Sequence, residues 1–239
     1  MADMERRLAP YVARTEPYGF QHLLGRADWE ADAVRDELRG SGLDLLRDPD
    51  AVLGIDATGF LKKGRHSAGV ARHYSGPAGR IANCQLGVFL GYASRLGHAL
   101  RERERYVPKE GMDDRARCRQ AGLPNARGCA TTPPRAHQML ARAWGAGVPA
   151  TGVAGDRVYG ADRRLRLGLE AQPQASVLAV SGQADVWLGW RQRRVNTILA
   201  SLPAAGWTRR RAGEGAKGPR WDDWRWLPLA DPVQPDWRR

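Results

Sequence analysis

Between residues 20 and 47, Leu23, Leu24, Trp29, Val34 and Leu38 recur among charged residues. That spacing predicts short amphipathic helices, broken at Gly40 and Gly42. Turn residues then give way to Val52, Leu53, Gly54 and Ile55, a nearly continuous apolar run. It predicts a short strand, covered on both faces, that ends at Asp56. In "RIANCQLGVFLGYASRLGHALRERERYVP" the apolar positions Leu86, Val88, Phe89 and Leu90 lead into a turn at Ser94 to Gly97, and alternating Arg and Glu follow. An antiparallel hairpin beside the first strand is expected. Residues 108 to 132 show no periodicity and read as a long irregular connection.

The clearest helix follows Thr131 and Thr132, with Pro133 and Pro134 in its first turn and Ala136, Met139, Leu140, Ala143 and Trp144 on one face. Gly145 and Gly147 stop it, and "VPATGVAGD" supplies a strand running into a second carboxylate, Asp156. "ADRRLRLGLEAQ" reads as a helix that Pro173 ends, and "SVLAV" as a further strand. From Gly182 onward the pattern degrades into Trp- and Arg-rich sequence with Gly and Pro. The order strand, hairpin, helix, strand, helix, strand predicts an α/β chain in three parts. These are an N-terminal helical layer at 1–48, a core at 49–182 and a basic Trp/Arg-rich region at 183–239.

At 239 residues the chain can bury one sizeable core. Its net charge of +12 comes mostly from arginine, whose planar fork binds phosphate, so a polyanion is the leading partner; a GC-rich coding sequence is the other source of so much arginine. Half of that charge sits in residues 191–239, with eleven basic against five acidic residues. Most of the nine tryptophans also lie from Trp187 onward. Trp207, Trp221 and Trp224 are expected to form a small satellite core, with Arg209, Arg210, Arg211, Lys217 and Arg220 contacting phosphates. Cys84, Cys118 and Cys129 form no C-x-x-C pair and read as free thiols of a reducing cytoplasm. A zinc site from Cys118, Cys129 and His137 fits no common ligand spacing. No run reaches the length of a membrane span and the N-terminus has no signal-peptide architecture, so a cytoplasmic protein without a membrane partner is expected.

Asp56 and Asp156 lie about 100 residues apart, each after an apolar run. On adjacent strands two such carboxylates could bind Mg²⁺, which favours oxygen ligands and needs only one or two protein carboxylates. Two metals about 3.5 to 4 Å apart would stabilise both oxygens of an in-line phosphoryl displacement. Lys62, Lys63, Arg65 and Arg72 could then hold a DNA backbone nearby. The alternative is that each Asp is a turn or cap residue and the lysines are ordinary surface.

"GIDATGFLKKGRHSAGVARHYSGPAGRIANCQLGVFLGYAS", "YVPKE", "AGVPATGVAGDRVYG" and "GAKGPRWDDW" resemble, in order, bacterial insertion-sequence transposases of the DDE class, specifically the insertion sequence seven-zero-one family. The resemblance reaches back to "FQHLLGRADWEADAVRDELR" and covers roughly residues 20 to 229. It implies a ribonuclease H-like mixed sheet, a divalent cation (Mg²⁺ or Mn²⁺), and DNA cleavage and strand transfer at element ends. The implied partner is double-stranded DNA, bound by a homodimer, at the nucleoid. Asp56 becomes the first catalytic and metal-binding carboxylate and Asp156 the second. Ala57 and Arg157 stand where the family usually has acids. The family's third acid is a glutamate beyond the stretch matched by "GAKGPRWDDW", so Glu214, Asp222, Asp223, Asp231 and Asp236 do not inherit its role. The resemblance therefore implies a copy truncated within the C-terminal insertion, its third acid missing and one sheet face partly uncovered. A catalytically inactive DNA-binding remnant is the alternative.

Overall fold

The computed structural model describes residues 30–63, 69–75, 78–108, 131–188, 191–215 and 218–227, with His22, Arg26, Ala116 and Arg119. Two compact units divide at Arg47 and Asp48. In the first, helix α1 spans Ala31–Leu46, and the Glu30 side chain caps it by accepting from the backbone N–H groups of Asp32 and Ala33. The helix passes through Gly40 and Gly42 instead of breaking there. An interior glycine costs only about 1 kcal/mol relative to alanine. The ion pairs of Arg35 with Asp32 and Arg39 with Asp36, one turn apart, help offset that cost. The remainder of the expected helical layer, and the connection expected at 108–132, fall almost entirely outside the described residues.

The second unit is built on strands β1 (Val52–Leu61), β2 (Val70–Ser75), β3 (Arg80–Ser94), β4 (Gly97–Arg105), β5 (Gly152–Gly155) and β6 (Ala175–Leu178). Helix α2 (Thr132–Gly145) connects β4 to β5 across residues that include the undescribed stretch, while α3 (Arg157–Gly160) and α4 (Arg163–Glu170) lie between β5 and β6. The six strands make one mixed sheet. β3 pairs antiparallel with β1 on one side and with β2 and β4 on the other. β1 pairs in parallel with β5, and β5 in parallel with β6. The expected hairpin, both α/β crossovers and their strands are present, and β2 is an addition that periodicity did not reveal.

β1 does not end at Asp56. It continues to Leu61 because Ala57 to Leu61 pair with Val88 to Cys84 of β3. Among the described residues it is also covered on one side only. Leu53 and Ile55 are buried with Val88, Leu90, Tyr92 and Val153, under the Ala136, Met139, Leu140 and Ala143 face of α2. Residues of the opposite parity, Val52 and Phe60 on β1, Leu100 on β4 and Val177 on β6, are exposed. Alternation, the mark of a half-buried strand, is therefore the true pattern.

A small network fixes where β1 begins. The Tyr92 hydroxyl accepts from the Asp48 N–H and donates to the Asp48 carbonyl, both at 3.0 Å. The buried Asp48 carboxylate takes two side-chain bonds from Arg95 and backbone N–H groups from Asp50 and Arg95. The Arg95 guanidinium, more than the backbone donors, holds that carboxyl well below the usual carboxylate range. The Thr151 N–H donates to the Ala51 carbonyl at 2.9 Å and so sets the start of the parallel ladder.

Beyond β6 the chain is more regular than its composition predicts. β7 (Asp185–Leu188) and β8 (Arg191–Arg194) form an antiparallel pair, α5 spans Val195–Ser201, and β9 (Thr208–Gly215) pairs antiparallel with β10 (Gly218–Trp224). The expected tryptophan core does not form: Trp221 and Trp224 are more than half exposed, Trp226 is 91% exposed and Trp207 sits at the surface. Strands two at a time leave nothing on the other side to bury against. Among the described residues no helix is long and apolar enough to cross a membrane.

Candidate catalytic carboxylate pair

β1 and β5 run in parallel with Val52 opposite Gly152 and Ile55 opposite Gly155. One residue further along each strand stand Asp56 and Asp156. Neighbouring strands lie about 4.8 Å apart, so two residues about 100 apart in sequence are brought near one another, each directly after the last paired position of its strand. Asp56 sits within β1 and Asp156 at the point where β5 gives way to α3.

Each carboxylate is held by one oxygen. Oδ1 of Asp56 accepts the Ala57 N–H at 2.7 Å, and Oδ1 of Asp156 accepts the Val158 N–H at 2.9 Å. Among the described residues neither Oδ2 has a hydrogen-bond partner, and both residues are exposed. Asp156 is thus a helix cap as well as half of the pair, since its side chain and carbonyl together start α3. The turn-or-cap alternative accounts for one of its oxygens and leaves the other for a ligand.

Two glycines fit the backbone to this site. A Cβ on Gly155 would come within 3.0 Å of the Leu178 side chain and 3.3 Å of Tyr159 Cβ. A Cβ on Gly160 would lie 2.0 Å from the Ala179 carbonyl oxygen, a distance no atoms tolerate. Both positions let α3 and the end of β6 close up behind Asp156. Tyr159, between them, is 1% exposed and its hydroxyl has no partner among the described residues. Burial, and then the negative charges of Asp156 and Asp56, push that hydroxyl well above the ordinary tyrosine range. Motif reading passed over Tyr159; the only hint was its place in "GDRVYG", three residues after the second carboxylate.

The basic residues are distributed rather than gathered at the pair. Lys62 and Lys63 are exposed just past the end of β1, six and seven residues from Asp56, about 20 Å along an extended chain. The Lys62 N–H donates to the Asn83 carbonyl at 3.0 Å, and Asn83 in turn is the register partner of the exposed Arg72. Lys62, Asn83 and Arg72 form one row across the sheet. Arg65 and Lys217 lie outside the described residues. On the β9–β10 hairpin, Arg209, Arg210 and Arg211 stand opposite Asp223, Asp222 and Trp221. Arg211 is ion-paired with Glu214, and Arg220 donates to the Ala212 carbonyl at 3.2 Å, so Arg209 and Arg210 are the more available cations. Thr208, Arg210, Arg211, Trp224, Arg225 and Trp226 line a cleft of about 780 Å³ beside the hairpin.

A family model described as DDE superfamily endonuclease matches residues 1–206. The chain belongs to that family. No curated protein and no solved structure matches it. DDE endonucleases are transposase-like nucleases whose substrate is DNA and which generally use divalent metal ions. The match takes in the whole six-stranded sheet and stops before the β9–β10 hairpin. Carboxylate oxygens are the kind of donor that a small, hard, partly hydrated cation favours. Among the described residues Asp56 and Asp156 are a pair, with no third His, Cys, Asp or Glu close enough to complete a cluster.

Proposed function

We propose that this DDE endonuclease is an insertion-sequence transposase of the seven-zero-one family, with a ribonuclease H-like core, that cleaves DNA and transfers strands at element ends. The observation that carries the reading is the parallel register that sets Asp56 beside Asp156. The strand order, an antiparallel β1–β3–β4 meander continued by two parallel strands through helical crossovers, supports the ribonuclease H-like assignment.

In this reading Asp56 and Asp156 hold Mg²⁺ or Mn²⁺ through their unshared oxygens, while the Ala57 and Val158 N–H groups keep the carboxylates from turning away. The cation, when bound, supplies Lewis-acid activation of the attacking oxygen and offsets charge on the scissile phosphate. The exposure of both aspartates leaves room for a duplex to reach them. Lys62, Lys63, Arg65 and Arg72 contact DNA phosphates, Lys62 about 20 Å along the chain from Asp56. Arg209, Arg210, Arg211, Lys217 and Arg220 contact a further stretch of backbone. Such contacts hold and orient DNA without reading its sequence. A homodimer on DNA in the cytoplasm, one copy per element end, suits the strand-transfer reaction.

Ala57 and Arg157, both non-acidic neighbours of the pair, favour a second reading in which the chain binds DNA and no longer cuts it. One experiment separates the two. Supercoiled DNA carrying the element ends is incubated with the full chain and Mn²⁺ or Mg²⁺, with Asp56→Ala as the control. Transposase function predicts cation-dependent nicking that falls at least 10²- to 10³-fold in the variant. Salt-dependent binding without nicking in either protein would leave only the second reading standing.

A further inference from the structure

We propose that the cleft beside the β9–β10 hairpin takes an unpaired base of a DNA strand, stacked on Trp224 and Trp226, with Arg210 on the neighbouring phosphate. The inference rests on the reading of the chain as a DNA-binding protein and is independent of the cation site. The cleft has a volume of about 780 Å³, within the range of pockets that enclose small ligands. Apart from Gly206, its lining lies beyond the residues that the family model matches.

Strand alternation builds one wall. Thr208 is the register partner of Trp224, and Arg210 and Ala212 follow Thr208 at two-residue steps, so these four side chains share one face of the ribbon and all line the cleft. Asp222, the register partner of Arg210, does not line it. Arg225 fixes the other wall. Its Nη1 donates to the Pro203 and Ala205 carbonyls at 3.0 and 2.8 Å, and its guanidinium lies against Gly206, where a Cβ would meet the guanidinium carbon at 3.4 Å. These bonds tie the end of β10 to the turn before β9, and with it Trp224 and Trp226, the sequence neighbours of Arg225.

Trp224 and Trp226 are 55% and 91% exposed, although rings of this size ordinarily find cover. Arg211 is ion-paired with Glu214 and Arg225 is held by the two carbonyls, whereas the Arg210 guanidinium makes no such contact among the described residues. The cleft thus offers two open aromatic rings and a cation with donors to spare. Every base has a π face that can stack on such rings, and the strand carries a phosphate beside each base for an arginine fork to hold. A duplex keeps its base faces stacked on one another. The ligand that rings and charge together fit is therefore a single strand or a frayed end, and the flank of a duplex is not.

The test is binding of a labelled oligodeoxythymidine of about twelve nucleotides, and of a labelled blunt duplex, to the full chain. Fluorescence anisotropy reads both, with a chelator present so that no strand is cut. Trp226→Ala, Trp224→Ala and Arg210→Ala are compared with wild type, and a thermal melt checks each fold. Trp226→Ala, at an almost fully exposed position, is expected to melt like wild type and to bind the single strand about tenfold more weakly, with duplex affinity within about twofold. Arg210→Ala is expected to weaken single-strand binding and to lower its salt dependence by about one phosphate contact. Wild-type affinity for the single strand in both tryptophan variants would overturn the proposal, and so would an equal loss on single strand and duplex. A wild-type chain that binds the duplex but not the single strand would overturn it while sparing the DNA reading, whereas binding of neither would remove both. Tighter tryptophan-dependent binding of oligouridine would make the ligand RNA, and a tryptophan-dependent dimer of the free chain would make the occupant a second copy. Either result overturns the proposal.

Discussion

Gly160→Ala is expected to lower stability by about 3 kcal/mol, the upper end of what overpacking usually costs, and to abolish cation binding with it. The added Cβ would need to sit 2.0 Å from the Ala179 oxygen and 3.0 Å from its carbonyl carbon. Both are backbone atoms, so no side chain can swing away to make room. Ala179 is itself fixed, since its N–H donates to the Gly155 carbonyl at 3.0 Å and extends the β5–β6 ladder. The strain must therefore move α3, and α3 begins at Asp156. In a chain of this size each kcal/mol shifts the melting temperature by roughly 2 to 4 °C, so a drop of about 6 to 12 °C is expected in a thermal scan. A variant melting like wild type would show that β6 and α3 are not packed this closely.

Arg142→Ala is expected to be as destabilising, about 3 to 5 kcal/mol, and by a different route. Glu102 and Glu104 on β4 point under α2, where their side chains are almost wholly buried. Arg142 reaches down from α2, donating from Nε and Nη2 to Glu102 Oε2 at 3.0 and 2.8 Å and pairing with Glu104 Oε1 at 2.9 Å. Removing the guanidinium takes two charge-assisted bonds from a carboxylate that water does not reach. Arg142→Lys should recover only part of the loss, because an ammonium is a point charge without the guanidinium fork. Denaturant unfolding measures both variants. Since this cluster lies on the helix-covered face, Mn²⁺ affinity measured well below the melting temperature should stay near that of wild type. That contrast separates damage to the fold from damage to the site.

The elements that periodicity reveals are those whose burial is decided locally. Ala136, Met139, Leu140 and Ala143 announce α2 because one helix face meets the sheet, and the Ser94–Gly97 turn announces its hairpin because the turn is made by neighbouring residues. The far half of β1 was not legible. Thr58 to Leu61 look like the exit from a strand, and they extend it only because Gly87 to Cys84 arrive from β3 to pair with them. β2 is hidden for the same reason, its length set by its register with Arg80 to Gln85. The glycines of α1 mislead in the opposite direction, since a helix with its cap and ion pairs in place can tolerate what propensity alone disfavours. In the basic region the tryptophans suggested a core where the chain instead makes two-stranded ribbons with exposed rings.

Of the proposed site, the two aspartates could be named from the runs that precede them, while their nearness in the fold could not. Their alignment follows from Val52 facing Gly152, a pairing across about 100 residues that no local pattern encodes. Tyr159 was invisible for the same reason. Its hydroxyl is seen to be buried and unpartnered among the described residues only when everything around it has been placed.

Asp56 and Asp156 are proposed to form one cation site. Iron-mediated affinity cleavage tests it directly. Fe²⁺ replaces the native cation, ascorbate and peroxide generate radicals where the iron sits, and the backbone is cut at its nearest segments. Two cuts are expected, one beside Asp56 and one beside Asp156, both suppressed by excess Mg²⁺ and both lost in Asp56→Asn as well as in Asp156→Asn. Cuts at only one of the two aspartates, or cuts that persist in either variant, would contradict it.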